Sequence, residues 1–330
     1  MRRILLVGGG HAHLALLRGL IRRPLPDAEF LLVTPRPLTL YSGLLPAVIR
    51  REMSLRDAEI DVAALASRAG ARLVIGAVAA IDPAARVALL RGGEVIGFDF
   101  ASLDPGGMSA IEEDEIAAKP IGELTARIEA IEAGPPGTVA VRGGGPAAVE
   151  LALALAQRWN FTRNVRLLAE TLLPGAPDGA RRALIAALGT IENSGPVVAT
   201  IAAGRTLGPT WLARSGLACD ESGCVRTDAA RRSVSHPWVL AAGDAAVVDA
   251  EPRPKGGVWA VRAGPVLHAT LAALLAGREP RAVVPQRTAL TIIGLGHGRA
   301  VGWRGGLFFT GRLPLLLKRR LDAAWLRPLP

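Results

Sequence analysis

Cysteine is nearly absent from this chain, with two in 330 residues. That count argues against a disulfide-stapled scaffold and a four-cysteine zinc site. Lysine is almost as scarce: Lys119, Lys255 and Lys318 are the only three, so arginine carries most of the net charge of +10. Aromatic residues make up 4% and no basic run is interleaved with them, which leaves no stacking platform for a nucleic acid. No stretch reaches about 18 uncharged apolar residues, so no membrane-spanning helix is expected. Little chain precedes the glycines at 8–10, too little for a secretion signal, and a cytoplasmic location is expected.

What is present is apolar. Hydrophobic residues are 50% of the sequence and its mean hydropathy is +0.32, which excludes a disordered chain. The length suggests roughly two domains. The charge is uneven: residues 303–330 hold six basic side chains against Asp322, a local excess pointing to a local partner. The arginine-rich remainder, beside abundant Ala and Gly, reads as GC-rich coding.

The apolar run Ile4-Leu-Leu-Val7 is a buried parallel strand ended by Gly8-Gly9-Gly10. Leu14, Leu17 and Ile21 then recur at helical spacing as far as Pro24, and Phe30-Leu-Leu-Val33 is a second strand. The pattern returns with Thr138-Val-Ala-Val141, Gly143-Gly144-Gly145-Pro146, a helix from Ala147 to about Trp159, and a strand from Val165 to Leu168. Between the two, 72–75, 78–81 and 86–90 read as short strands of an antiparallel excursion.

Two glycine-rich βαβ units imply two dinucleotide sites. In the first, Gly8 permits the tight turn and Gly10 the approach of a pyrophosphate. His13 replaces the third glycine, which is expected to loosen helix–strand packing, and Thr34 replaces the ribose-binding acid. A plain strand–turn–helix is the alternative. His11 and His13 also suggest a metal, but no cluster of further ligands accompanies them, and no metal is expected. The second unit is the fuller copy: Ala148 substitutes for the third glycine, and Glu170 follows at a strand end, suited to NAD rather than NADP. Val239 to Ala246 then places Asp244 directly after a strand and Gly243, where an acid can hold a ribityl hydroxyl.

In order and spacing, Gly8–Gly10, the Gly143–Glu150 segment and Ala241-Ala-Gly243-Asp244 resemble the two-dinucleotide pyridine nucleotide–disulfide oxidoreductase superfamily. The similarity is greatest to type II NADH dehydrogenase-like flavoproteins, and especially to the flavoprotein domain found fused ahead of selenide, water dikinase. Leu6 to His13, Tyr41 to Pro46, Ser102 to Gly106, Lys119-Pro120, Ser235 to Pro237, Arg262 to Pro265 and Pro285 to Arg287 support it.

The resemblance implies a doubly wound α/β fold with two Rossmann-like domains and a short C-terminal α+β element. Residues 1–118 and 224–287 would form a discontinuous FAD domain, 119–223 a shortened NAD(H) domain, and 288–330 a membrane or interface element. It implies FAD on Gly8, Gly10, His11, Ala12, Thr34, Ser42, Val78, Gly106, Gly243, Asp244, Lys255, Val258 and Ala260. NADH would be held by Gly143, Gly145, Ala148, Glu170 and Gly204. Glu150 would lie near the flavin as the catalytic candidate, with a plain first-turn acid favouring the helix dipole as its alternative.

The implied reaction passes a hydride from NADH to flavin and electrons to an acceptor, a quinone. The alternative is a non-catalytic or NADH-independent flavin-binding partner linked to selenium metabolism. Only 34 positions separate Glu170 from Gly204, so a strand pair is expected to be missing between Leu188 and Val197. Cys219 and Cys224 flank Asp220 to Gly223 and read as an incidental hairpin pair rather than a redox disulfide.

Beyond residue 312, Leu313, Leu316, Leu317, Leu321, Ala324 and Trp325 share one helical face, with Lys318, Arg319, Arg320 and Asp322 elsewhere. Such a helix, 312–326, suits a membrane interface, so the protein would be peripheral on the cytoplasmic face; packing on its own core or on a second subunit of a homodimer is the alternative.

Overall fold

The computed structural model describes residues 1–160, 162–188, 196–250, 254–283 and 288–327. Its contacts divide the chain into two units, each assembled from three segments. The first comprises Met1–Thr39, Ile60–Met108 and Thr206–Pro285, and the second Leu40–Glu59, Ser109–Arg205 and Gln286–Pro330. Leu40–Glu59 thus clusters with the second unit and Thr206 to Gly223 with the first.

In the first unit Ile4, Leu5, Leu6 and Val7 are all buried, as a continuous apolar run requires when both faces of a strand are covered. Their strand, Arg2–Val7, is flanked by Ala28–Thr34 on one side and Phe100–Leu103 on the other, and Ala71–Ile75 and Val239–Ala241 complete a five-stranded parallel sheet. The chain starts in the middle and winds outwards in both directions. Its switch point therefore lies where Arg2–Val7 and Phe100–Leu103 end side by side, the crevice in which open α/β sheets bind ligands.

The strand at 71–75 pairs in parallel with Ala28–Thr34 and belongs to this sheet, not to the expected antiparallel excursion. The excursion consists of Val78–Asp82, Val87–Leu90 and Val95–Gly97, whose Val78, Ile81, Ala88, Leu90 and Ile96 pack beneath the parallel sheet.

Helix Gly257–Leu275 is, against expectation, long and apolar enough to cross a membrane by length and composition, although Arg262 breaks its uncharged run. Within the first unit it packs against helix His11–Arg22. A Cβ at Gly264 would come within 2.3 Å of the Ala15 Cβ, so the two backbones approach too closely for any other residue there. Ala260, Ala263, Gly264, Val266, Leu267, Thr270 and Leu271 of this helix are buried within the unit.

The second unit carries a four-stranded parallel sheet ordered Glu115–Ala117, Val197–Ala202, Thr138–Arg142, Val165–Leu168. Helix Pro146–Trp159 follows the Thr138 strand, with Pro at its first turn and Asn160 in the left-handed conformation ending it. The expected deletion at 188–197 falls largely on 189–195, outside the described residues.

Residues beyond 288 form an antiparallel sheet, Thr291–Gly296, Arg299–Arg304 and Leu307–Gly311, followed by helix Arg312–Leu326. Ile293, Val301 and Trp303 share a core with Val149 and Leu153 of the Pro146 helix and with Ala180 and Leu184 of helix Asp178–Leu188.

Candidate functional site: two glycine cradles and a buried ionic cluster

The first cradle lies at the switch point of the first unit. Gly8 adopts φ +95°, and a Cβ there would lie 2.3 Å from the Asp104 carbonyl oxygen. The Gly8 and Asp104 amides donate to Val33 and Val7 carbonyls, tying the two loops to neighbouring strand ends. Gly9 lies beside Thr34, whose hydroxyl would be 3.2 Å from an added Cβ. The substitute for the ribose-binding acid thus sits against the glycine loop.

His13 does not loosen the packing. It is fully buried, with Nδ1 2.7 Å from the Gly8 carbonyl and Nε2 2.9 Å from the Ser102 hydroxyl. A carbonyl only accepts, so Nδ1 carries the proton and Nε2 accepts from Ser102. Burial depresses the His13 pKa to about 4. The imidazole is therefore a neutral, buried strut at the position of the fingerprint's third glycine. His11, beside it, is likewise lowered to about 4 by burial, with Asp244 pulling the other way.

Asp104, which sequence reasoning did not single out, is central to this cradle. It is 2% exposed, and one carboxylate oxygen accepts from the Ala12 amide at 2.8 Å and the His13 amide at 3.1 Å. The carboxylate therefore caps the His11–Arg22 helix from a distant strand end, where the helix dipole favours an anion. Burial nevertheless raises its pKa to about 7, against the two amide hydrogen bonds and with a further push from Asp244. A Cβ on Gly10 would lie 2.3 Å from this carboxyl group, and one on Gly243 (φ +64°) 2.2 Å from its Oδ1. A signal existed: Asp104 follows a strand directly, the placement that drew attention to Asp244.

Of the other expected first-unit residues, Asp244 lies in the turn Gly243–Ala245 at the end of strand Val239–Ala241. Gly106 has φ +81° and open space where a Cβ would go. Val78 is buried at its strand start, Lys255 donates from Nζ to the Ala246 carbonyl, Val258 is exposed and Ala260 is buried. Ser42, grouped with them in the sequence, belongs to the second unit.

The second cradle, at the carboxyl end of Thr138–Arg142, is built by Gly143 at φ +142° and Gly145 at the helix cap. Gly143 abuts Ala203 and Gly204 at the adjacent strand end, leaving no room for a Cβ, whereas one on Gly145 would meet open space. Ala148 is buried, and Glu170 lies exposed just past strand Val165–Leu168.

Glu150, one turn into the Pro146 helix, accepts from the Gly294 amide at 3.2 Å. Burial raises its pKa, opposed by Lys318, that amide and Arg50, while Asp322 adds to the rise. Lys318 in turn donates to the Gly43 carbonyl at 2.7 Å and to Asp322 at 3.2 Å. Tyr41 donates to the other Asp322 oxygen at 3.0 Å, and burial with that acid pushes its phenol pKa upwards.

The terminal helix thus turns Pro314, Lys318, Asp322 and Trp325 inwards. Leu313, Leu316, Leu317 and Leu321 face outwards, as does Leu307 of the preceding strand, whereas the part-exposed Phe308 and Phe309 rings lie against Gly179 and Gly302. Cys219 and Cys224 are free thiols bracketing a turn, with burial raising the pKa of both, Cys219 to about 11. Among the described residues no group of three His, Cys, Asp or Glu side chains is arranged to hold a metal.

No family model matches the chain, and no curated protein does. Solved structures do. The sulfide:quinone oxidoreductase of Aquifex aeolicus superposes with a TM-score of 0.79 at 16% identity, covering 98% of this chain and 90% of that one. A NAD-dependent persulfide reductase from A. fulgidus gives 0.72 at 17%, covering 91% and 63%. The water-forming NADH oxidase from Lactobacillus brevis, bound to NADH, gives 0.70 at 16%, covering 92% and 75%. At such identities the likeness establishes the fold. The chain has the mixed α/β, doubly wound fold of these oxidoreductases, with two Rossmann-like parallel sheets.

Proposed function

We propose that this chain is an FAD-dependent oxidoreductase that takes a hydride from NADH and passes electrons to a small-molecule acceptor, a quinone. The observation that carries the reading is the pair of parallel sheets, each with a glycine loop and helix N-terminus at its switch point. The neighbours in fold support it, since their names include NAD-dependent, NADH-using and quinone-reducing enzymes.

The first cradle fits FAD by its donor set. A helix N-terminus that already holds a carboxylate selects an anion, and the Gly9–Gly10 backbone offers the approach a diphosphate needs. Thr34 and Val78 would line the adenosine half, Asp244 would hold the ribityl chain, and Gly106, Lys255, Val258 and Ala260 would line the remaining length. When bound, FAD supplies the hydride-accepting chemistry. In the second unit, Gly143, Gly145, Ala148 and Gly204 would hold the NADH diphosphate, and the carboxylate of Glu170 would bind ribose hydroxyls and repel a 2′-phosphate. Glu150, with its raised pKa, holds a proton more readily than an exposed acid and is our candidate proton-handling group. The raised thiol pKa values leave the cysteines poor nucleophiles, so a disulfide step is not part of the reading.

We further propose that the outward apolar residues of 307–321, with Arg312, Arg319 and Arg320, rest on an anionic membrane surface where a quinone is met. The resemblance of Leu6 to His13 and Ser102 to Gly106 to the flavoprotein domain fused ahead of selenide, water dikinase supports the flavin part of the proposal. Anaerobic addition of NADH to the purified yellow protein tests it. Bleaching at turnover-like rates, reversed by a quinone analogue, is expected. Flavin that stays oxidised favours a non-catalytic flavin-binding partner, and protein that takes up no FAD overturns the reading.

A further inference from the structure

We infer that FAD uptake by this chain is coupled to uptake of a proton, carried by the buried carboxyl group of Asp104. The inference rests on the FAD reading above and concerns how that site accepts its cofactor. Gly8, Gly10 and Gly243, three residues of the first cradle, all close on Asp104: its carbonyl oxygen lies against Gly8, and its carboxyl group lies against Gly10 and Gly243. The carboxylate already answers two amides of the helix N-terminus that a diphosphate would approach. A diphosphate entering the same cradle brings negative charge beside it in a region with little water, where like charges cannot both persist cheaply.

The titratable groups that act on Asp104 from the helix and from the Gly243 turn point to the same outcome. From the His11–Arg22 helix, His13 is engaged by Gly8 and Ser102 and stays neutral, so it supplies no counter-charge. His11 on that helix is likewise held neutral by burial near neutral pH. From the Gly243–Ala245 turn, Asp244 is an acid whose charge raises Asp104 further. The cheapest neutralisation is therefore a proton on Asp104 itself. One oxygen can keep accepting from the Ala12 and His13 amides while the other carries the hydrogen.

The sign follows from linkage. Burial already lifts the Asp104 pKa to about 7 without cofactor. Bound diphosphate raises it further, so binding takes up a proton only above the cofactor-free value. The dissociation constant for FAD should be flat below about pH 7 and weaken above it, by up to about tenfold per pH unit until the pKa of Asp104 in the complex is reached.

Two measurements on the full-length protein test this, neither of which reads turnover. Titration calorimetry with FAD at pH 8.5, in two buffers of different ionisation enthalpy, should show net proton uptake, of at most one proton per FAD bound. Fluorescence titration from pH 6 to 9 should show the predicted weakening for the wild type. Asp104→Asn keeps the acceptor for both amides and loses the titration, so it should bind FAD at pH 9 as it does at pH 7. FAD binding without proton uptake, or a wild-type constant flat to pH 9, overturns the inference and leaves the flavin reading intact. Persistence of the full pH dependence in Asp104→Asn also overturns it. Failure to bind FAD at every pH overturns the flavin reading, and this inference with it. If Asp104→Asn does not fold, the two-buffer calorimetry on the wild type decides alone.

Discussion

Replacing His13 by alanine probes the tie between fold and cradle, and its cost follows from two hydrogen bonds. The substitution strips the Gly8 carbonyl of its donor and the Ser102 hydroxyl of its acceptor, both deep in the sheet–helix interface. An orphaned buried group costs about 1–3 kcal/mol, so His13→Ala should destabilise the protein by about 2–6 kcal/mol at neutral pH, before any cavity contribution.

The pH dependence sharpens the test. The folded-state pKa of His13 is depressed from 6.5 to about 4 because the buried ring is neutral, while the unfolded chain protonates near 6.5. Stability from the neutral ring is thus fully present above pH 6.5 and is lost as pH falls towards about 4. A shift of that size corresponds to about 3 kcal/mol. Asp104 titrates with the opposite sign over part of the range, its raised pKa favouring the fold at low pH. The informative quantity is therefore wild type minus variant, measured by urea unfolding at half-unit steps from pH 7.5 to 4.5. That gap should shrink steadily below pH 6.5. A gap that stays constant or widens on acidification refutes a neutral buried His13. In a double-mutant cycle with Ser102→Ala the two costs should fall short of additivity by about 1 kcal/mol.

Other substitutions give equally direct outcomes. Glu132 accepts from Arg158 twice at 2.7 Å, from Trp159 Nε1 at 2.8 Å and from Arg51 at 2.9 Å. Glu132→Ala should therefore cost about 3–5 kcal/mol in urea unfolding, because Arg158, only 6% exposed, is left uncompensated. Leu313→Glu with Leu316→Glu should change stability by no more than about 0.5 kcal/mol, since both side chains are exposed, but should cut co-sedimentation with anionic vesicles severalfold. The double variant Cys219→Ser, Cys224→Ser should keep wild-type NADH bleaching in stopped flow, the expected result if neither thiol exchanges electrons with the flavin.

Much of the fold was legible because its strands are buried on both faces, and such strands read as unbroken apolar runs. Ile4 to Val7, Phe30 to Val33 and Thr138 to Val141 are each followed by glycine or proline that ends them within a residue or two. The cradles were legible for the same reason: glycine at a strand end constrains where a ligand backbone can approach.

The content of the first cradle was not legible. Whether His13 loosens or fills the helix–strand contact depends on Ser102, nearly ninety residues away in sequence, and local pattern carries no such information. Asp104 reads as the start of a Pro-Gly loop until the sheet brings its strand beside Arg2–Val7. The terminal helix was read in part. Leu313, Leu316, Leu317 and Leu321 lie exposed, the side expected for a membrane face rather than for packing on the core, but Trp325, grouped with them by spacing, sits on the inner side. That side is set by the Tyr41 hydroxyl and the Gly43 carbonyl, which pair with Asp322 and Lys318, and local pattern does not show them.

The central claim is that two dinucleotide cradles on one chain serve a single hydride transfer. It is tested most directly by mixing the anaerobic, FAD-loaded protein with NADH in a stopped-flow spectrometer. The account predicts rapid, saturable loss of the yellow flavin band with NADH, a weaker response to NADPH, and weakening of the NADH response in Glu170→Ala. A flavin band that survives excess NADH, or a Glu170→Ala variant reduced as readily as the wild type, would contradict it.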